Sequence, residues 1–482
     1  MAQGKSLPPH LREQAARIEA IARGQGLDFF EVVFEMLDAK DVNAVAAYGG
    51  FPVRYPSWRF GMDYERLDKG HQWGLSKIYE LVINNDPTFA YLVRSNSDME
   101  QKLVMAHVFG HADFFKHNVW FQPTDRHMLD RMADDGSRVR GFVDQHGQDT
   151  VEAFLDLALS LDNLVDPFLP LREHMKNRAR APGTTDAARV ASASSATNDG
   201  ATRESNATSD RTSTSFQDVC DVATGRGRAA HALPSFDVLG FLMDRAPLAP
   251  WQRDLVRIVR SEAYYFVPQR MTKIMNEGWA SFWHSRILTG GVLDPGEIVD
   301  FADCHSGATA AANGQLNPYK LGIEIFRTAE ERGMDLFRLR RVHNDASILD
   351  AIVDEDFARR NSLFVYGKNG RTGRNEVVER DWHAVKERLL LDLAWGGLPQ
   401  IEIVDDDEGG RGELTLRHHH DGRDLQLAHA GETLKNVAKM WGRRVHLVTQ
   451  EDGNGRRLST DGTDLVVQEL PGNETPRPSE AI

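Results

Sequence analysis

Cysteine is almost missing from this 482-residue sequence, which holds only Cys220 and Cys304. Two cysteines cannot build a disulfide framework, so a reducing, cytoplasmic location is the simpler expectation. Long apolar runs are missing too. No window of about eighteen apolar residues occurs, so no membrane-spanning helix is expected. The opening Met1-Ala-Gln-Gly-Lys-Ser-Leu-Pro-Pro9 has no apolar centre, and no secretory leader is expected. Basic residues are in deficit, 57 against 71 acidic, for a formal net charge of −14. That balance argues against nucleic acid as a partner, because phosphate contact needs a basic surface. A phosphate-cradling loop is also lacking. Gly367-Lys-Asn-Gly370-Arg-Thr-Gly373 resembles one only in composition, lacks the strand–loop–helix frame, and reads as a turn. No internal repeat is evident.

Apolar residues make up 41% of the chain and charged residues 27%, enough for a globular core. The sequence predicts an α+β protein with a predominantly helical main domain, residues 1–398, and a small α+β C-terminal module, residues 399–473. A polar tail, 474–482, follows. Helical periodicity runs through Leu7–Arg23, Asp28–Met36, Ser97–Phe115 and Thr150–Leu161, and resumes in Pro250–Phe266, Gln269–Leu288, Ile323–Arg332 and Asp381–Leu393. Ser97 followed by Glu100 has the capping-box spacing. Tyr48–Phe60, rich in Gly, Pro and aromatics, reads as an ordered loop. Residues 181–230 are dominated by Ala, Ser, Thr, Asn, Asp, Gly and Arg. Such a stretch cannot bury enough surface to offset chain entropy, so it is expected to be a disordered insertion. In the module, Ile401–Val404, Leu414–Arg417, Leu425–Leu427 and Val445–Val448 alternate as strands, with a helix over Glu432–Trp441.

Three clusters could carry chemistry. In Ala106-His107-Val-Phe-Gly-His111 two histidines four apart share one helix face and can hold one metal ion. Val108 stands where metallopeptidases place their glutamate base, so the usual signature is incomplete. In Met275-Asn-Glu277-Gly-Trp-Ala-Ser-Phe-Trp-His284, Glu277 fits the carboxylate that a later helix supplies in gluzincin-type sites. The plainer alternative is a salt bridge to an arginine. Glu100 precedes His107 by seven residues, as Glu277 precedes His284. An antiparallel helix pair with Glu277 opposite the His107/His111 pair would then set His284 beside Glu100. The third cluster is a loop histidine, His305, in Asp303-Cys-His305-Ser-Gly, with Tyr319 in Asn317-Pro-Tyr319. Both residue types serve as transition-state donors in metallohydrolases, although structural roles are commoner. The same caution covers His71, His117 and His231. His418-His419-His420 falls in a predicted strand, where alternation puts His418 and His420 on one face and suggests adventitious metal binding.

The chain resembles the stage V sporulation protein R (SpoVR) family. The likeness rests on Trp58-Arg-Phe-Gly-Met62, His107-Val-Phe-Gly-His111 with Phe114-Phe115-Lys116, and Pro250-Trp-Gln-Arg-Asp-Leu-x-Arg257-Ile-Val-Arg260. It continues through Met275–His284, His305-Ser-Gly307 and Asn317-Pro-Tyr319-x-Leu-Gly322. It spans the chain apart from the insertion near 181–230 and the tail. The resemblance implies a role in sporulation or the stress and stationary-phase response. It also implies a PrkA-type serine protein kinase and a von Willebrand A-like protein as partners, and it brings no established reaction.

Three functional readings follow. In the first, His107, His111 and Glu277 hold one divalent transition-metal ion, zinc foremost, in a zincin-like metallohydrolase acting as a peptidase or amidase. Glu100, His284, His305 or Tyr319 would then handle the proton. In the second, the cluster is structural and the protein is a non-catalytic partner of other proteins. The third, a dinuclear site, lacks the Glu-x-x-His spacing of di-iron bundles.

Overall fold

A computed structural model describes residues 5–72, 80–180, 233–309, 316–368 and 375–471. The 181–230 insertion with Cys220, the side chains of His71 and His231, and the tail lie outside those residues. So do residues 369–374 of the Gly367–Gly373 segment.

The architecture is α+β. The first part of the chain supplies α1 (Pro9–Gly24), α2 (Ala39–Ala47), α3 (Trp58–Gln72), α4 (Asp98–His117), α5 (Met128–His146), α6 (Gln148–Leu159) and α7 (Leu169–Arg180). After residue 232 come α8 (Val238–Arg245), α9 (Pro250–Met271), α10 (Lys273–Ile287), α11 (Ile298–Thr309), α12 (Pro318–Glu331), α13 (Leu336–Val342), α14 (Asp345–Ile352), α15 (Glu355–Arg360) and α16 (Trp382–Leu393). The module adds α17 (Leu427–Trp441).

One expected helix is a strand. Val32–Leu37, overlapping most of the predicted Asp28–Met36 helix, forms β2 and pairs in parallel with β4 (Thr88–Val93). A short apolar run reads equally well as either element, and here β-branched Val32 and Val33 and a paired neighbour favour the strand. β1 (Lys5–Ser6) and β3 (Glu80–Ile83) complete a sheet of order β1-β2-β4-β3. Met36, Ala90 and Leu92 join its face to one core with Val104, Met105 and Val108 of α4 and with Met275, Trp279 and Trp283 of α10. A second core links α5, α6, α8 and α9 to the C-terminal module. A hairpin of β5 (Val365–Lys368) and β6 (Asn375–Glu379) lies between α15 and α16.

The expected Gln269–Leu288 helix starts later. α9 runs on through Pro268 to Met271, and Thr272 breaks the chain direction, its hydroxyl donating to the Pro268 carbonyl at 2.7 Å. α10 then begins under a cap from another element. The Asp345 carboxylate accepts from the Ile274 and Met275 amides at 2.8 and 2.9 Å.

In the module, β7 (Ile401–Glu408), β8 (Glu413–His418), β9 (Val445–Glu451), β10 (Asn454–Thr460) and β11 (Leu465–Glu469) form a sheet of order β11-β10-β9-β8-β7. β8 and β9 are parallel and are joined through α17. Leu425–Leu427 is not a strand, since Leu427 already opens α17. Three alternating residues are a weak strand signal, whereas Leu427, Leu434, Ala438 and Trp441 continue a helical stripe that packs on the sheet.

Candidate metal centre

α4 begins as its sequence predicts. The Glu100 amide donates to the Ser97 hydroxyl at 3.3 Å, and the Ser97 amide donates to the Glu100 carboxylate at 2.7 Å. Glu100 is therefore bound into the helix N-terminus. Two turns on, His107 and His111 are 3% and 6% exposed.

α10 crosses α4 antiparallel. His111 meets Asn276 near the start of α10, and His107 meets His284 near its end. The approach is very close because Gly110 has no side chain: a Cβ built there would lie 2.6 Å from Cα of Ala280. A second such approach, Gly278 on Gly322, brings α12 against the other side of α10.

This register sets Glu277 between the two histidines. Its Oε2 lies 3.5 Å from His107 Nε2 and 3.6 Å from His111 Nε2. The three donor atoms all lie within 4.8 Å of one another. Two ligands on a tetrahedral zinc, with bonds of about 2.0–2.1 Å, stand roughly 3.3 Å apart. The two spacings to Glu277 are close to that value and longer than a normal hydrogen bond. The donor set is two imidazoles and a carboxylate, the composition of three-ligand catalytic zinc sites, so the residues fit such an ion. Among the described residues this is the cluster of three or more His, Cys, Asp or Glu donors spaced for a metal.

The remaining ring nitrogens are held from behind. His111 Nδ1 lies 2.9 Å from Asn276 Oδ1, which can only accept, so Nδ1 carries the proton and Nε2 offers its lone pair to the cluster. His107 Nδ1 lies 2.9 Å from His284 Nδ1, and His284 Nε2 lies 3.0 Å from His305 Nδ1. If each ring donates outward, all three imidazoles are neutral and His107 Nε2 also keeps its lone pair. Burial, then the nearness of His107, pulls His111 down to about 4. Burial likewise pulls His284 well below the usual imidazole value and lowers His305. For Glu277, burial alone would raise the pKa. The nearness of the His107 and His111 rings and the Tyr319 hydroxyl outweigh it and hold the carboxyl below its ordinary value.

Tyr319 sits in the first turn of α12, whose N-cap Asn317 accepts from the Tyr319 amide at 2.9 Å. Its ring lies over His107, with centroids 6.2 Å apart.

The structure thus joins His107, His111, Glu277, His284, His305 and Tyr319, and leaves Glu100 apart. The expected Glu100–His284 pairing is replaced by His284 on His107, because the close approach of Gly110 to Ala280 offsets the two helices and sets His284 level with His107, not with Glu100. His305 is not on a loop but within α11, a helix whose exposed surface hides its periodicity. The C-terminal trio sits where β8 ends. His418 pairs with Thr449, His419 with Glu402 and His420 with Asp424, each at 2.7–2.9 Å. His117 is tied to Asp28.

Two supporting residues escape sequence reasoning. Asn276 is visible there only as the neighbour of Glu277. Asp113, fully buried, accepts from Trp279 Nε1 and from the Asp28 amide, both at 2.8 Å, and pairs with Arg340. Burial pushes it up to about 6 against the pull of Arg340.

The fold and this cluster define a helical α+β protein with a buried two-histidine, one-carboxylate donor set. The family profile described as SpoVR like protein matches residues 6–397, and that of the SpoVR-like C-terminal domain matches residues 399–452. The chain belongs to the SpoVR family. The Escherichia coli (strain K12) protein YcgB, itself uncharacterised, is 30% identical over 489 residues, covering 91% of this chain and 92% of that protein. No solved structure matches the chain. No helix among the described residues is long and apolar enough to cross a membrane.

Proposed function

We propose that this chain is a mononuclear metal-dependent hydrolase of amide or peptide bonds, with His107, His111 and Glu277 as the metal ligands. The observation that carries the reading is the near-equal spacing of Glu277 Oε2 from the two Nε2 atoms, 3.5 and 3.6 Å. Three protein ligands leave a fourth position for water or substrate, the pattern of catalytic rather than structural zinc. A divalent ion held there would polarise a carbonyl and make a bound water acidic. The likeness to zincins lies in this donor arrangement.

The chain's own residues divide the remaining work. Asn276 orients His111, and His284, backed by His305, orients His107. Neither His284 nor His305 is then the first choice for meeting substrate, and Glu100 is committed to its helix cap. Tyr319 remains as the proton-handling side chain beside Glu277. The Glu277 side chain keeps 20% of its surface exposed, which leaves the cluster one open side.

One observation favours a second reading. Val108, in the place of the metallopeptidase glutamate, is wholly buried. In that reading the cluster is structural, and the protein acts by binding partners, of which the family resemblance suggests a PrkA-type kinase and a von Willebrand A-like protein.

Metal content of untagged protein, measured by mass spectrometry beside His107→Ala and Glu277→Ala, tests the proposal. About one equivalent of a transition metal, lost in both variants while circular dichroism is unchanged, is the expected result. Tyr319→Phe should keep the metal and lose amidase activity in a substrate screen. No metal after anaerobic reconstitution would overturn the proposal and leave the partner-binding reading.

A further inference from the structure

The donor cluster is closed to solvent. His107 Nε2 and Glu277 Oε2 each expose less than 1 Å². The 20% of the Glu277 side chain that stays exposed therefore excludes the oxygen between the histidines. An ion arrives with its water shell, and a substrate carbonyl arrives on a larger body. Some part of the wall has to move before either can reach those atoms.

Most of the wall is fixed. α4 and α10 meet at Gly110 and Ala280, and α10 and α12 meet at Gly278 and Gly322, backbone close to backbone. Packed interiors of this kind transmit strain and do not yield to it. His284, Asn276 and Phe115, which border the two histidines, are 3%, 8% and 4% exposed. Tyr319 differs from them. It is partly exposed and stands in the first turn of α12 beside exposed Leu316 and Lys320. Its ring is inclined 29° to that of His107 with centroids 6.2 Å apart, and its hydroxyl lies beside the Glu277 carboxylate. One side chain thus faces two of the three donors on its inner side and solvent on its outer side. Turning it outward takes rotation about two side-chain bonds and no backbone shift.

Resting on the metal-centre reading above, we propose that the Tyr319 side chain is the gate of this site. It closes over the donors whether the site is empty or filled, and it swings to solvent to admit the ion and the substrate. Such a gate slows entry and exit by the same factor, because both wait for the same opening, and it leaves the affinity alone. A fourth metal ligand acts otherwise: its loss speeds release without speeding uptake. The hydroxyl beside Glu277 is the latch. Losing one contact of that kind raises the open fraction about fivefold.

Zinc exchange on the full-length protein tests this. Stopped-flow uptake, followed with a fluorescent zinc indicator, and release into excess chelator give the two rates separately. Tyr319→Phe keeps the ring and loses the latch, and should raise both rates about fivefold. Tyr319→Ala also removes the apolar cover, and should raise both at least about tenfold. In each variant the zinc Kd should stay within about twofold of wild type, and Lys320→Ala should match wild type throughout. Faster release with unchanged uptake would make Tyr319 a ligand and overturn the gate. Wild-type protein that binds zinc, with neither rate altered in the Tyr319 variants, would overturn the gate and leave the metal centre standing. Wild-type protein that binds no zinc would overturn the metal centre and the gate with it. If Tyr319→Ala fails to fold, Tyr319→Phe alone decides between these outcomes.

Discussion

Gly110→Ala is the sharpest perturbation of the metal centre, because it adds one methyl group between the two ligand histidines and touches neither. The new Cβ would lie 2.6 Å from Cα of Ala280 and 3.2 Å from Cβ of Ala280. Carbon atoms rest at about 3.5–4.0 Å, so α4 and α10 must part by about 1 Å. Alanine gains about 1 kcal/mol over glycine in a helix interior, and overpacking a tight contact costs about 1–3 kcal/mol. The net expectation is a loss of about 1 kcal/mol. The effect on the donors is larger. Two ligands on one ion, with bonds of about 2.1 Å, can stand at most about 4.2 Å apart. Parting the helices stretches the 3.5 and 3.6 Å separations past that limit. Zinc affinity should therefore fall at least about tenfold, read by competition with a chromogenic chelator. Gly141→Ala is the control. It lies within α5 with nothing inside 4 Å of a built Cβ, and should raise the melting temperature with zinc affinity unchanged. A Gly110→Ala protein that melts no lower than wild type and binds zinc equally well would refute the reasoning.

Three further expectations follow from the same geometry. Asn276→Leu removes the acceptor that fixes His111, and zinc affinity should drop about 10–100-fold with the melting temperature little changed. Because His111 is pulled down to about 4, it stays neutral above pH 5, and zinc affinity at fixed free zinc should vary less than about twofold between pH 6 and 8. An ordinary imidazole, half-protonated near pH 6.5, would cost about fourfold at pH 6, and seeing that loss would count against the buried site. Asp345 is pushed up to about 7 by burial, so between pH 4 and 7 the folded chain keeps a proton that the unfolded chain has released. Stability contributed by this group therefore falls as pH rises through that window, and Asp345→Asn should remove that part of the slope in thermal melts. An unchanged slope would show that Asp345 does not titrate there.

Local patterns are legible in the sequence and register is not. The Ser97/Glu100 capping box and the α4 histidine pair depend on residues within one or two turns, and both stand as read. Glu277 stands out because a buried carboxylate amid aromatics needs a partner. The Glu100–His284 pairing fails because equal seven-residue spacings do not fix how one helix lies along another. That offset is set by Gly110, Ala280, Gly278 and Gly322, whose meaning appears only when two helices touch. Asp113 is invisible for a related reason: its partners Asp28 and Trp279 lie 85 and 166 residues away. Asp28–Met36 and Leu425–Leu427 mislead because short apolar stretches take their structure from what they pack on.

The α4–α10 register is held at three places: His107 to His284, His111 to Asn276, and Asp113 to Trp279. A slip of one residue would move α10 by about 1.5 Å and turn it by about 100°, carrying Glu277 out from between the histidines. Packing alone does not call for such locks. Replacing both members of a buried polar pair with apolar groups of the same shape is close to neutral for stability, and the surrounding core is already rich in Phe, Trp and Met. Two of the three locks nonetheless end on Nδ1 of a proposed ligand, turning each Nε2 toward Glu277. A helix pair built only for stability has no use for that orientation, whereas a metal ligand depends on it.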